Sequence, residues 1–223
     1  MNRSLIFFAG ATALLLSACG SNHDADQPEV KVTDLAAGVY AVSTGDAANP
    51  TAGKYYSAAD GSRLLVLNNS SQQATAVYHR DAGSTWRLTP APAAAAATAA
   101  TAATTAAASL DLLNSNATTS GTLNVGTIAR SYTVRLASGA AAAFSVNAGG
   151  EIVAGATSCK LSGKVSVSSL PNTLKLSLTA SGCGELPAQS DGYLVVDSDY
   201  APAAFRLLTY SGSALVDLWA YAE

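Results

Sequence analysis

Apolar and polar residues alternate with a period of two through much of this chain. Lys164-Val165-Ser166-Val167-Ser168 and Leu174-Lys175-Leu176-Ser177-Leu178-Thr179 alternate strictly, as do Thr122-Leu123-Asn124-Val125 and Ser131-Tyr132-Thr133-Val134-Arg135-Leu136. Such a period predicts antiparallel strands with one buried and one wet face. Other short runs read as strands between turn residues: Gly38–Ser43, Gly53–Tyr56, Arg63–Leu67, Ala74–His79, Thr85–Leu88, Tyr193–Val196, Phe205–Tyr210 and Ala214–Trp219. Asp60-Gly61 is a favoured hairpin turn and Asn68-Asn69-Ser70-Ser71 marks the next one. No long segment shows a period of 3.6. Roughly a dozen short strands at this spacing predict an all-β fold, an antiparallel barrel or sandwich.

One segment breaks the pattern. Ala91 to Ser109 is almost wholly Ala and Thr. Alanine favours helix, the interspersed threonines lower that preference, and no large apolar face exists to dock. The segment reads as a loop, a frayed helix or a slack linker, an Ala/Thr-rich excursion in the middle of the fold. The expected organisation is a first β meander over 35–90, the Ala/Thr-rich stretch over 91–113, and a second β half over 114–223. The two halves are expected to form one domain.

The N-terminus follows a different logic. Arg3 gives a positive start, and the apolar run Leu5–Leu16 follows, broken only by Gly10 and Thr12. A helix of that length covers about 18 Å, short of a hydrocarbon core of about 30 Å. Residues 1–18 therefore read as a signal peptide, ending in the small residues that a signal peptidase accepts. Leu16-Ser17-Ala18-Cys19 resembles the lipobox of bacterial lipoproteins. The resemblance implies a diacylglycerol on the Cys19 thiol, cleavage before Cys19 and acylation of the new amine, with fatty acids such as palmitate as the anchor. Several chains together hold a protein stably where one does not. Gly20, where an aspartate would mark retention in the inner membrane, implies the outer membrane by resemblance to the enteric sorting rule. Residues 19–34, polar and containing Pro28, read as the lipidated cysteine and a flexible tether.

Composition narrows the partners. The full chain carries a net charge of −3, and loss of Arg3 with the signal leaves −4. No basic stretch is present, so nucleic acid is excluded as an expected partner. The expected partners are a membrane, through the lipid, and a small molecule, glycan or protein. Cys19 is taken by lipid, which leaves Cys159 and Cys183 as a pair in an oxidising compartment. With no histidine nearby they make a poor zinc site.

From Gly149 the chain shows a recurrent order. Gly150-Glu151-Ile152-Val153-Ala154-Gly155 precedes Cys159-Lys160-Leu161-Ser162-Gly163-Lys164-Val165, Asn172-Thr173-Leu174-Lys175-Leu176 leads to Cys183, and Gly192-Tyr193-Leu194 follows. This order resembles small uncharacterised lipoproteins of proteobacteria, over residues 149–210. The resemblance implies a β-barrel-like domain and carries over no catalytic residue.

Catalytic chemistry is scarce. His23 lies in the tether and His79 is the one histidine of the domain. A triad would need His79, a serine and Asp81 or Asp197, and no Gly-x-Ser-x-Gly elbow names the serine. Alternation places Thr75, Val77 and His79 on one face. If that face is buried, a neutral histidine hydrogen-bonded to a neighbour is expected. Asp197-Ser198-Asp199 lacks the rest of a calcium loop. Glu151 and Glu185 are isolated. No catalytic, metal or cofactor residue is therefore expected. The positive feature is aromatic: Tyr40, Tyr56, Tyr78, Trp86, Tyr132, Tyr210 and Trp219 lie in expected strands, as core packing or as the lining of a ligand pocket at a barrel mouth.

The resulting expectation is a non-enzymatic envelope lipoprotein with a binding or structural role. The rivals are a hydrolase of envelope glycan or lipid and an adhesion or secretion accessory protein that presents a sheet edge.

Overall fold

A computed structural model describes residues 30–90, 109–212 and 214–223. Cys19, the signal peptide, the first part of the tether and most of the Ala/Thr-rich segment lie outside the described residues. The fold is nearly all β, and its second half is an antiparallel barrel, as the alternation predicts.

Before the barrel the chain lays down β1 (Lys31–Val32), β2 (Gly38–Asp46), β3 (Asn49–Ser57), β4 (Arg63–Asn68), β5 (Ala74–Arg80), β6 (Arg87–Pro90), β7 (Ser109–Leu110) and β8 (Leu112–Thr118). Strands β2 to β6 run in hairpins, and β8 adds to the far side of β2, giving the order β6-β5-β4-β3-β2-β8. The short strands β1 and β7 pair in parallel, and Val30 bridges to Trp86. Val30 and Val32, at the end of the segment whose composition reads as tether, are buried against Trp86, Tyr55 and Leu65.

The barrel comprises β9 (Ser131–Arg135), β10 (Ala141–Val146), β11 (Glu151–Ala154), β12 (Lys160–Val167), β13 (Thr173–Ser181), β14 (Gln189–Val195), β15 (Phe205–Ser211) and β16 (Ala214–Ala222). Each strand pairs with the next, and β16 closes on β9 through Ala220↔Val134, Tyr221↔Thr133 and Ala222↔Tyr132. Inward positions are apolar throughout: Tyr132, Val134, Phe144, Leu161, Leu174, Leu176, Leu194, Phe205, Leu207 and Leu218 belong to one contiguous buried cluster. Ser190 and Thr209 are the polar exception, and their buried hydroxyls bond each other at 2.8 Å. The interior is thus a packed core, as expected for eight strands. Tight closure needs glycine at the bends. A Cβ on Gly163 would sit 2.0 Å from the Ser177 carbonyl oxygen, and one on Gly192 2.1 Å from that of Leu208.

The barrel wall has two characters. On β9 to β13 the outward residues Ser131, Arg135, Glu151, Lys164, Ser166, Lys175, Ser177 and Thr179 are exposed. This is the inverse of a membrane-spanning barrel, which turns an apolar band outward. On β14 to β16 the outward residues Tyr193, Val195, Leu208 and Leu215 are buried under the six-stranded sheet, in one cluster with Val39, Tyr56, Leu64, Val66 and Val77. The sheet's other face carries Tyr55, Leu65, Leu67 and Tyr78 and is covered by the β1–β7 layer. Three layers result: barrel, sheet and a thin cover. This explains why Leu64-Leu65-Val66-Leu67 is buried without alternation, since both faces of β4 are covered.

Two local readings differ. Thr122–Val125 is not a strand. Asn124 instead accepts the Gly126 amide with its side chain and opens a single 3-10 turn over Val125–Ile128. Asn favours such caps over a ladder. In β5 the register shifts opposite Leu67/Asn68, so Thr75 bulges out, exposed, with its hydroxyl on the Leu67 carbonyl. The bulge puts Ala74, not Thr75, on the barrel-facing side with Val77.

Cys159, just before β12, and Cys183, just after β13, form a disulfide with Cα atoms 4.4 Å apart. The bridge fastens the open end of the β12–β13 hairpin beyond its last pair, Lys160↔Ser181.

Candidate functional site

The polar chemistry of the fold gathers where the sheet meets the barrel. Arg206 points outward from β15 into that junction and is wholly buried. Its Nε and Nη2 donate to the two Asp217 carboxylate oxygens at 2.6 Å each, and Nη1 donates to Asn68 Oδ1 at 3.0 Å. The guanidinium lies 4.8 Å from the Trp219 ring centroid, a cation–π distance. Asp217 also accepts the Ala74 backbone N–H at 2.7 Å. Burial works against the charge, but the hydrogen bonds to Asp217 and its charge outweigh it and raise the Arg206 pKa. The network joins β4, β5, β15 and β16 and is structural, since the guanidinium is wholly buried and all three of its nitrogens donate to the protein.

A second ion site joins the layers further along. Lys54 Nζ on β3 lies 3.0 Å from Asp197 and donates to Asp199 at 2.7 Å, both carboxylates belonging to the loop after β14. Burial lowers the ammonium pKa, yet the bonds to Asp199 and Asp197 leave it raised overall. Asp197 also caps the 3-10 turn Ser198–Tyr200 through the Asp199 amide. That turn sends Tyr200 inward, where its hydroxyl meets that of Tyr56 at 3.2 Å. A groove of about 420 Å³ opens beside Lys54, floored by Asp197, Asn172 and Thr118. The Asp197-Ser198-Asp199 pair is thereby explained: its carboxylates hold a lysine.

The single histidine of the described residues sits at the third junction. His79 stacks on Tyr210 of the barrel, ring centroids 4.3 Å apart and planes 21° from parallel. It is only 8% exposed, and its Nδ1 is buried without a hydrogen-bond partner among the described residues. The expected bond to a neighbour is not formed, because the ring is held by stacking and not by polar contact. Desolvation pulls its pKa down to about 4, with Asp81 opposing in part. No serine or carboxylate is hydrogen-bonded to it, so the described residues do not assemble a triad around His79.

His79 therefore makes stability depend on pH. An unfolded histidine takes up a proton near pH 6.5, while the folded one does so only near pH 4. Between these values the unfolded state binds more protons, so stability falls as pH falls. Unfolding free energy is expected to be about 2 kcal/mol lower at pH 5 than at pH 7.5 from this group alone. Urea titrations of the wild type and of His79→Phe check it: a wild-type slope that persists in the variant would assign the effect elsewhere.

The seven aromatics offered as a pocket lining are distributed over three layers. Tyr132 packs inside the barrel with Phe144 and Phe205, at 5.7 and 4.5 Å. Tyr56 and Trp219 lie in the barrel–sheet layer, Trp219 edge-on to Tyr200. Tyr40, Tyr78 and Trp86 are on the opposite sheet face. Tyr210, with Tyr193, borders a shallow groove of about 350 Å³ on the outer wall near Lys164, Lys175, Asp81 and Asp191. Burial pushes the Tyr193 pKa up to about 12 and raises that of Tyr210, so both remain phenols. Among the described residues these seven do not converge on one cavity.

No family model, curated protein or solved structure matches the chain.

Arg206 and Asp217 carried a signal in the sequence. Each is a lone charge inside an apolar strand, in Phe205–Leu208 and Leu215–Trp219. A charge in a buried run needs a partner in a neighbouring strand.

Proposed function

We propose that this chain is a non-enzymatic lipoprotein of the bacterial outer membrane, held by lipid on Cys19, with a binding or structural role in the envelope. The observation that carries the reading is the inverted wall: apolar residues fill the barrel and, Ala141 and Val153 apart, the exposed outward residues on its free side are polar. Such a barrel sits in water and reaches a membrane only through something attached to it. Among the described residues no helix is long and apolar enough to cross a membrane. The Leu16-Ser17-Ala18-Cys19 sequence supplies the attachment, and the Cys159–Cys183 bridge leaves Cys19 as the one cysteine outside a disulfide. The enclosed His79 supports the non-enzymatic half. The accessory reading, in which a sheet edge meets a partner, draws support from the outer edge of β8, which pairs with nothing among the described residues.

Metabolic labelling with a fatty-acid probe tests the anchor. The wild type is expected to carry label and to fractionate with the outer membrane. Cys19→Ser is expected to lose both, and label retained on that variant would sink the proposal. Esterase, peptidase or glycosidase turnover that disappears in His79→Ala would overturn the non-enzymatic half.

A further inference from the structure

The barrel has no edges, because β16 closes on β9, so the long open edges of the described fold are those of the six-stranded sheet, β6 and β8. The two are built differently. β6 carries Arg87, ends at Pro90 and follows Trp86, which is bridged by Val30. Charge, proline and a covering segment are the devices by which proteins blunt an edge. β8, Leu-Leu-Asn-Ser-Asn-Ala-Thr, has no charge and no proline, and every residue after Leu112 is exposed. Its outer edge pairs with nothing among the described residues.

We infer that β8 pairs antiparallel with β8 of a second copy of this chain, joining two six-stranded sheets into one. The sequence of the edge, the symmetry of the pairing and the layering of the fold favour a second copy as the occupant. First, the straight part of the edge is self-complementary. A bulge between Ser43 and Thr44 displaces Leu113, so the regular stretch is Asn114–Thr118. Centred on Asn116, antiparallel pairing sets Asn116 against its own counterpart, Ser115 against Ala117 and Asn114 against Thr118. Amide meets amide, small meets small, and no like charges oppose one another. Second, the pairing is isologous and closes at two, so it does not propagate into a fibre. Third, the layers orient the copies alike. A twofold axis between antiparallel neighbours stands perpendicular to the sheet, so both barrels fall on one side and both β1–β7 layers on the other. Val30, the first described residue, lies in that cover, so in both copies it stands on the same face, an arrangement compatible with anchorage in a single membrane. This third point rests on the anchor proposed above, and the first two do not.

Cysteine cross-linking in the full-length exported chain tests the pairing. On the axis, Asn116→Cys lies opposite itself at about 4.5–5.5 Å between Cα atoms, within disulfide range. It is expected to give a covalent dimer in most of the protein, against little for Ser70→Cys in the exposed β4–β5 turn. Native mass spectrometry of the detergent-extracted wild type is expected to show a dimer, and Asn116→Lys, which sets a charge against itself, a monomer. Cross-linking of Asn116→Cys no greater than that of Ser70→Cys would overturn the inference, as would equal masses for wild type and Asn116→Lys. The same comparison in a Cys19→Ser background separates the two proposals. Loss of lipid with the dimer retained supports the edge pairing independently of the anchor, and loss of the dimer in that background would overturn the pairing as a property of the fold.

Discussion

Replacing Arg206 by methionine is expected to destabilise the protein by about 3–5 kcal/mol, a fall in Tm of roughly 10 °C or more for a chain of this size. The variant would leave the Asp217 carboxylate, whose side chain is 13% exposed, without its cation, and Asn68 without its donor. A buried charge without a partner is costly, whereas replacing both members of such a pair by apolar residues is often close to neutral. Arg206→Met/Asp217→Leu should therefore recover part of the loss. Recovery is incomplete because Asp217 also accepts the Ala74 N–H, which the double variant orphans. Thermal melts of the purified chain measure this, and an Arg206→Met variant within about 1 kcal/mol of wild type would show that the junction does not depend on the pair.

The second large effect is expected from the disulfide. Cys159 and Cys183 are 24 residues apart in sequence. In the chain-entropy model, closing a loop of that size stabilises by roughly 3–4 kcal/mol. Cys159→Ala/Cys183→Ala should therefore melt roughly 10 °C below the wild type, given about 2–4 °C per kcal/mol. Both cysteines are buried, so alanine adds a small cavity cost in the same direction. The native, non-reduced chain should show neither cysteine to a thiol reagent. An unchanged Tm, or two reactive thiols, would contradict the bridge.

Much of the fold was legible because local patterns carried it. Leu174–Ser181 alternates buried and exposed without a break, and its reading as a strand with one wet face needed nothing beyond the sequence. The disulfide followed from compartment and count. The layering was harder, because a run such as Leu64–Leu67 says that both faces are covered and not by what. β8 was missed for the opposite reason. Asn114, Ser115 and Asn116 bury nothing, so no hydrophobic period marks the strand, and only its ladder with β2 creates it. Asn124 shows local competition, its side chain taking a backbone amide that a strand would have used. The aromatic set is spread over the fold because tyrosine and tryptophan in strands serve every layer alike. The Arg206 network depends on Asn68 and Ala74 in the other half, a proximity that no spacing within the chain specifies.

The packed barrel divides the labour among residues. Inward positions such as Leu161, Leu174 and Phe205 are bound by volume, and a change of one methylene is felt. Outward positions on β9 to β13 touch water, and substitutions there usually stay within about 0.5 kcal/mol. Along Leu174–Ser181 the two kinds interleave residue by residue. Every second position of that wall is therefore open to new surface chemistry at little cost to the fold, so a lineage could change what this face recognises while its interior stayed the same.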